Sequence, residues 1–231
     1  MADHEEMHHK GGRGGKKGVR KAPANPMNLW MVNTDDCDDG WWPDLRPTSA
    51  IPERLVTFMV ADSHEHSGDF CHFFIDDYRF ERLWCDPKGY LPILRRYAGV
   101  IAPDFSTYTD MPKPMQMWNV YRSRALAAYW QSQGIEVIPS VQFGQEDTWG
   151  WAFAGMPRHS VLCSSTVGIH RDMDATRLFV MGMEECVRRT EPTALVMYGH
   201  EIPFDAGGIT VLWYPNDNDQ RMVDWRRRAG R

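Results

Sequence analysis

Several chemistries are excluded by what this 231-residue chain lacks. Its five cysteines, Cys37, Cys71, Cys85, Cys163 and Cys186, stand singly, with no Cys-x-x-Cys pair. An odd, scattered set cannot form a complete disulfide framework, so a reduced, cytoplasmic setting is expected. No apolar run approaches the roughly 18–20 residues of a membrane helix, and no apolar signal core opens the chain, so no membrane partner is expected. There is no Walker loop, dinucleotide fingerprint, Gly-x-Ser-x-Gly elbow or His-Glu-x-x-His helix. Nor is there an excess of positive charge. The 26 Lys and Arg against 31 Asp and Glu give a net charge of -5 and no global case for nucleic-acid binding. Residues 1–26 are short of large apolar side chains and rich in Gly and Lys, as in Gly11-Gly12-Arg13-Gly14-Gly15-Lys16-Lys17. Such a segment cannot repay the entropy of ordering, and it is expected to be a disordered basic tail that contacts nucleic acid loosely at most.

What is present is ordinary for a globular chain: 42% hydrophobic and 25% charged residues. Residues 27–231 are expected to form one domain. Its centre is the stretch from Gly99 to Gly144. There an apolar run, Gly99-Val100-Ile101-Ala102-Pro103-Asp104, precedes a helix-patterned segment from Met115 to Gln133, a Gly134 stop and the β-branched run Ile135 to Gln142. Strand, helix, strand of this length is a parallel crossover unit. The alternation continues with a strand over Ser160–Ser165, a helix over Asp174–Thr190, a strand over Ala194–Tyr198 and a last, edge strand over Ile209–Tyr214. The fold class is therefore α/β with a mainly parallel sheet. A barrel-like, incomplete curl is expected because polar residues follow each strand, with an open three-layer sheet as the alternative.

The first half is less regular. Asn28 to Pro52 is Trp- and Asp-rich and reads as an ordered loop that lays aromatics on the domain, with Asp35-Asp36-Cys37-Asp38-Asp39 as a solvated acidic turn. Strands are expected over Leu55–Val60 and Phe70–Ile75. Their connection looks too short for a crossover helix, so an antiparallel or edge pairing is expected. His64, His66, Cys71 and His72 make a metal-like cluster without a standard zinc spacing, and an exposed polar loop explains them more simply. No metal ligand is assigned.

Several segments are distinctive in order: His72-Phe73-Phe74-Ile75-Asp76-Asp77-Tyr78-Arg79-Phe80-Glu81-Arg82-Leu83-Trp84, Pro103-Asp104-Phe105-Ser106-Thr107-Tyr108, Gln116-Met117-Trp118-Asn119-Val120-Tyr121-Arg122-Ser123-Arg124, Ser164-Ser165-Thr166-Val167-Gly168 and Tyr198-Gly199. Over roughly Ile51 to Gly199 the chain resembles a family catalogued as domain of unknown function 4417. The resemblance implies a protein of bacteria, phages or mobile elements and carries no activity, cofactor or catalytic residue.

In parallel α/β folds the reactive edge lies where strands end. That edge is expected to collect Asp76, Asp77, Asp104, Gln142, Ser165, Thr166, His200 and Glu201. Asp76 and Asp104 close apolar strands and are the candidate catalytic carboxylates, for proton transfer or to hold a divalent cation through hard oxygens. The plain alternative is that each Asp caps the turn it opens. On the long helix, Asn119 and Arg122 lie three apart near the proposed mouth. With Thr166 and Tyr198 they are the candidate ligand-binding residues, Arg122 holding an anion or else pairing with Asp77 or Asp104. Met115, Trp118, Tyr121, Ala125 and Ala128 are expected to cover the sheet, with Arg122, Leu126 and Trp130 as a second stripe. Two functions follow. One is a phage or mobile-element enzyme acting on a phosphate-bearing compound, a nucleotide or nucleic acid. The other is a non-catalytic module that binds a host protein or nucleic acid through Trp41, Trp42, Trp149, Trp151 and the basic tail.

Overall fold

The computed structural model describes residues 27–38, 41–60, 66–169 and 172–216, without the side chains of His66 and Ser67. The basic tail, His64 and the Arg226-Arg227-Arg228 run lie outside these residues. Among the described residues, seven strands follow the chain: β1 (Arg54–Thr57), β2 (His66–His72), β3 (Tyr97–Ile101), β4 (Val137–Ile138), β5 (Val161–Ser165), β6 (Ala194–Tyr198) and β7 (Thr210–Tyr214). Every ladder is parallel, in the orders β1-β2-β3-β4 and β5-β6-β7. A parallel bridge between Ser140 and Cys163 joins the two ladders, with Val141 N donating to Cys163 O at 2.7 Å and Cys163 N to Pro139 O at 2.9 Å. The result is a run of neighbours in sequence order, as repeated right-handed crossovers produce.

The antiparallel pairing expected for β1 and β2 is corrected by a parallel register, Leu55 opposite Phe70 and Val56 opposite Cys71. The physical reason is length. With Arg54 opposite Asp69, the start of β2 lies six residue steps below Thr57, a return of about 20 Å, and the eight residues between Thr57 and His66 span about 26 Å when extended. They can therefore return without a full helix, and a 3-10 turn at Phe58–Val60 starts that return. The edge position expected for β1 holds.

Helices α1 (Glu81–Cys85), α2 (Leu91–Leu94), α3 (Lys113–Ser132), α4 (Trp149–Ala152) and α5 (Met173–Thr190) fill the crossovers. The long helix α3 starts with Pro114 in its first turn and stops before Gly134, whose φ of 77° suits a residue without Cβ. Helix α5 is capped by Asp172, whose side chain accepts from the backbone N–H of Asp174 and Ala175 at 2.9 and 3.0 Å. Leu126 and Trp130 of α3 are fully buried, but Met115 is 52% exposed, so the sheet-covering stripe starts later than expected.

Side chains alternate along each strand between two cores. Cys71, Phe73, Val100 and Val137 pack outward against Leu83, Leu94, Leu126 and Trp130. On the other flank Leu162, Leu195 and Met197 pack outward against Phe179, Met183 and Cys186 of α5. The inner faces meet one another: Leu55, Phe70, Ile101, Ile138, Val161, Val196 and Tyr198, with Tyr214 against them, form one cluster drawn from all seven strands. Gly99 makes room for this cluster, since a Cβ there would come within 2.3 Å of the Phe70 ring. A sheet whose inner face packs on itself is curled. It is not closed: no ladder joins β7 to β1 among the described residues, though Tyr214 Oη reaches Pro52 O at 2.5 Å.

Candidate functional site

The curl brings the strand ends together, and its inner face turns polar there. In β2 the alternation Phe70, His72, Phe74 points inward, and Ile138, Ser140 and Gln142 continue the inner face of β4. A curled parallel sheet staggers by about one residue per strand, so alternate strands supply each interior layer. His72 of β2, Ser140 after β4 and Tyr198 of β6 fall in one such layer, and the His72 and Tyr198 rings lie 4.3 Å apart. Phe74 stacks on Tyr198 from above at 5.2 Å.

Asp104 follows β3 beside this layer. Its carboxylate accepts from Ser140 Oγ at 3.3 Å. Burial, first, and the nearby Asp77 carboxylate, second, push its pKa up to about 7, against the opposing pull of Ser140 and Gln142. The residue still keeps partial solvent contact. It is thus a recessed acid. Asp77 accepts from Ser106 N at 3.1 and 3.2 Å and from Ser106 Oγ at 2.8 Å, which fastens the loop after β2 to the loop after β3. Gln142 closes the other side, its Nε2 donating to Phe105 O at 2.8 Å.

The other sequence-derived candidates are placed as follows. Asp76 is exposed and paired with Arg79, Nε to Oδ2 at 3.1 Å, away from Asp104's hydrogen-bond network. Asn119 and Arg122 are buried on α3 and joined at 2.7 Å. The acid that Arg122 meets is Glu81, not Asp77 or Asp104: Nη1 lies 2.6 and 2.7 Å from the two carboxylate oxygens. The guanidinium also sits 3.9 Å over the Phe105 ring, the residue after Asp104, and Asn119 Nδ2 donates to Ser106 O at 2.7 Å. Asn119 and Arg122 therefore brace the Asp104 loop from behind. Thr166 is buried, its hydroxyl spent on His200 O at 2.7 Å, whereas Tyr198 lies in the inner layer.

The metal-like cluster comes apart. Cys71 faces the outer core and His72 the inner one, so neighbours on opposite faces of one strand cannot share an ion. His72 belongs to no exposed loop; it is completely buried. Among the described residues no three His, Cys, Asp or Glu side chains are grouped to hold a metal ion, and no helix is long and apolar enough to cross a membrane. Ser140 and Glu81, which meet Asp104 and Arg122, were not singled out from the sequence, and His72 was read there only as part of the metal-like cluster. For His72 the signal was the period-two run of Phe70, His72 and Phe74.

The family model described as "Domain of unknown function (DUF4417)" matches residues 39–215. The chain belongs to this family. Among curated proteins it is 42% identical over 193 residues to the "Gene 1 protein" of Mycobacterium phage L5, covering 82% of this chain and 84% of that protein. It is 41% identical over 160 residues to the "Gene 1 protein" of Mycobacterium phage D29, covering 68% of this chain and 59% of that protein. These DUF4417 relatives are phage proteins, in line with the phage or mobile-element origin expected from the sequence. No solved structure matches the chain.

Proposed function

We propose that this DUF4417 protein is an enzyme that moves a proton on a phosphate-bearing compound of the nucleotide class at the strand-end mouth, with Asp104 as the general acid or base. One observation carries the reading: a carboxyl group recessed beside a second carboxylate, with its pKa raised to about 7. A proton carrier is most effective when its pKa lies near the working pH. The Asp77 carboxyl lies close by, and Ser140 orients the Asp104 carboxyl through its hydroxyl. Asn119 and Arg122 enter as positioning residues, because the hydrogen bonds and ring contact described above commit them to Glu81, Ser106 and Phe105. Asp76, exposed at the rim, is the candidate for a cation accompanying the phosphates.

The test is conversion of nucleoside mono- and triphosphates and short oligonucleotides, followed by mass spectrometry, for the wild type and Asp104→Asn. The expected result is turnover that changes through pH 7 in the wild type and is lost in a folded Asp104→Asn protein. Turnover of none of these compounds, or turnover unchanged in Asp104→Asn, sinks the proposal. The alternative of a non-catalytic module rests on Trp41. Of the four tryptophans expected to bind partners it alone is exposed, while Trp42 is stacked on Trp151 at 6.2 Å.

A further inference from the structure

The loops that follow β2 and β3 carry two exposed aromatic rings, Tyr78 at 72% and Tyr108 at 66%. One link ties the two loops together. Asp77, next to Tyr78, accepts from the backbone N–H and the hydroxyl of Ser106, two residues before Tyr108. The Tyr108 loop is also fixed from behind: the side-chain amides of Gln116, Asn119, Gln142 and Gln145 donate to its backbone carbonyls at 2.7 to 2.9 Å. A ring that stands in water on a loop held this firmly meets a partner at little ordering cost. The charge around the two rings is one-sided. Residues 73–80 and 102–112 hold four carboxyls, Asp76, Asp77, Asp104 and Asp110, against one cation, Arg79. Arg79 is paired with Asp76 at 3.1 Å and lies 5.2 Å over the Tyr78 ring, so this ring already accepts a guanidinium on one face. Exposed tyrosines framed by carboxylates suit further Lys and Arg side chains.

We infer that this rim is the docking surface for the chain's own basic segment, residues 10–21. The segment holds Lys10, Arg13, Lys16, Lys17, Arg20 and Lys21 and no acid, the opposite of the rim. It also joins the fold nearby. The described chain begins at Met27, and Asn28 Nδ2 donates to Trp84 O at 2.6 Å. Trp84 lies six residues beyond Tyr78 along the turns at 77–79 and 81–85, a distance of about 9–12 Å. The six residues from Met27 back to Lys21 reach about 20 Å, and residues 10–21 about 40 Å more, enough to pass both rings. Docking of this kind draws on charge and ring faces and needs no buried core, which suits a segment short of large apolar side chains. It does not depend on the role of Asp104 in proton transfer.

The experiment is carbodiimide cross-linking of the full chain, which condenses a lysine amine with a carboxyl in contact with it. An equal mixture of unlabelled and heavy-isotope protein is used, and the products are mapped by mass spectrometry. Lys16, Lys17 or Lys21 should join Asp76, Asp77 or Asp110 within one copy. The yield should fall about tenfold between low salt and 0.5 M salt, where the screening length shrinks to about 4 Å. Tyr78→Ala with Tyr108→Ala should lower it by about fivefold or more, as the loss of two exposed cation–π contacts implies, at an unchanged melting temperature. Tyr78→Phe with Tyr108→Phe keeps both ring faces and should retain the yield. Cross-links from the segment to Asp35, Asp36 or Asp44 in place of the rim, cross-links only between copies, none at all, or a yield unmoved by loss of both rings overturns the inference.

Discussion

His72 and Asp104 respond to protons in opposite senses. The pKa of Asp104 is raised in the fold to about 7, so between about pH 4 and 7 the native state holds a proton that the unfolded chain releases. Its contribution is fully present below pH 4 and is lost as pH rises through 7. The pKa of His72 is lowered to about 3, so below about pH 6.5 the unfolded chain holds a proton that the native state refuses. Its contribution is lost as pH falls from 6.5 toward 3. Across pH 4–6.5 the two slopes oppose, each at most about 1.4 kcal/mol per pH unit. Replacing either residue should unmask the other. Asp104→Asn should lose stability as pH drops from 6.5 to 4, whereas His72→Phe should gain it over the same interval, in urea melts at each pH. Parallel profiles in both variants would show that neither group carries the shift assigned to it. The place of Asp104 just past a strand was legible because a Pro-Asp step follows an apolar run. Its partner Ser140 and the pairing of Arg122 with Glu81, 41 residues away, were not, because they are fixed by which elements the curl sets side by side.

Local pattern read the elements well where packing and propensity agree. The strand Ala194–Tyr198 is fully buried on both faces and reads as one apolar run. Helix α5, expected over Asp174–Thr190, runs over Met173–Thr190 and buries Phe179 and Met183. Helix α3 was legible in extent but not in facing, since polar Gln116, Asn119, Ser123 and Arg124 are buried on it while Met115 and Met117 are exposed. The buried polar residues serve the neighbouring loops: Ser123 Oγ donates to Pro103 O at 2.5 Å, and Arg124 Nη1 and Nη2 donate to Ser140 O and Ala152 O at 3.0 and 3.1 Å. Helix α3 is thus the scaffold behind the mouth. Leu126→Ala should cost about 2–5 kcal/mol by cavity formation, and Met115→Ala should stay within about 0.5 kcal/mol of wild type, both measured by denaturant unfolding. Equal losses at the two positions would contradict this facing of the helix.

At the scale of the molecule, two hydrogen-bonded ladders share one interior. If the ladders were separate units, each would have its own inner core. Instead Leu55 and Phe70 from one and Val161, Val196 and Tyr198 from the other pack in a single cluster, and the Ser140–Cys163 bridge carries the pairing across. Loss of either ladder exposes the inner face of the other, so the free energies of the two cannot be separated. The chain should therefore unfold in one transition, with far-UV circular dichroism and tryptophan fluorescence giving coincident midpoints. Within that unit, the edges are the weak places: among the described residues β1 and β7 each lack a ladder neighbour on one side, so their amides should exchange with deuterium well before those of β3 and β6. A second transition confined to residues 161–214 would mean that the ladders are independent, and the inner cluster they share would then not be one cooperative core.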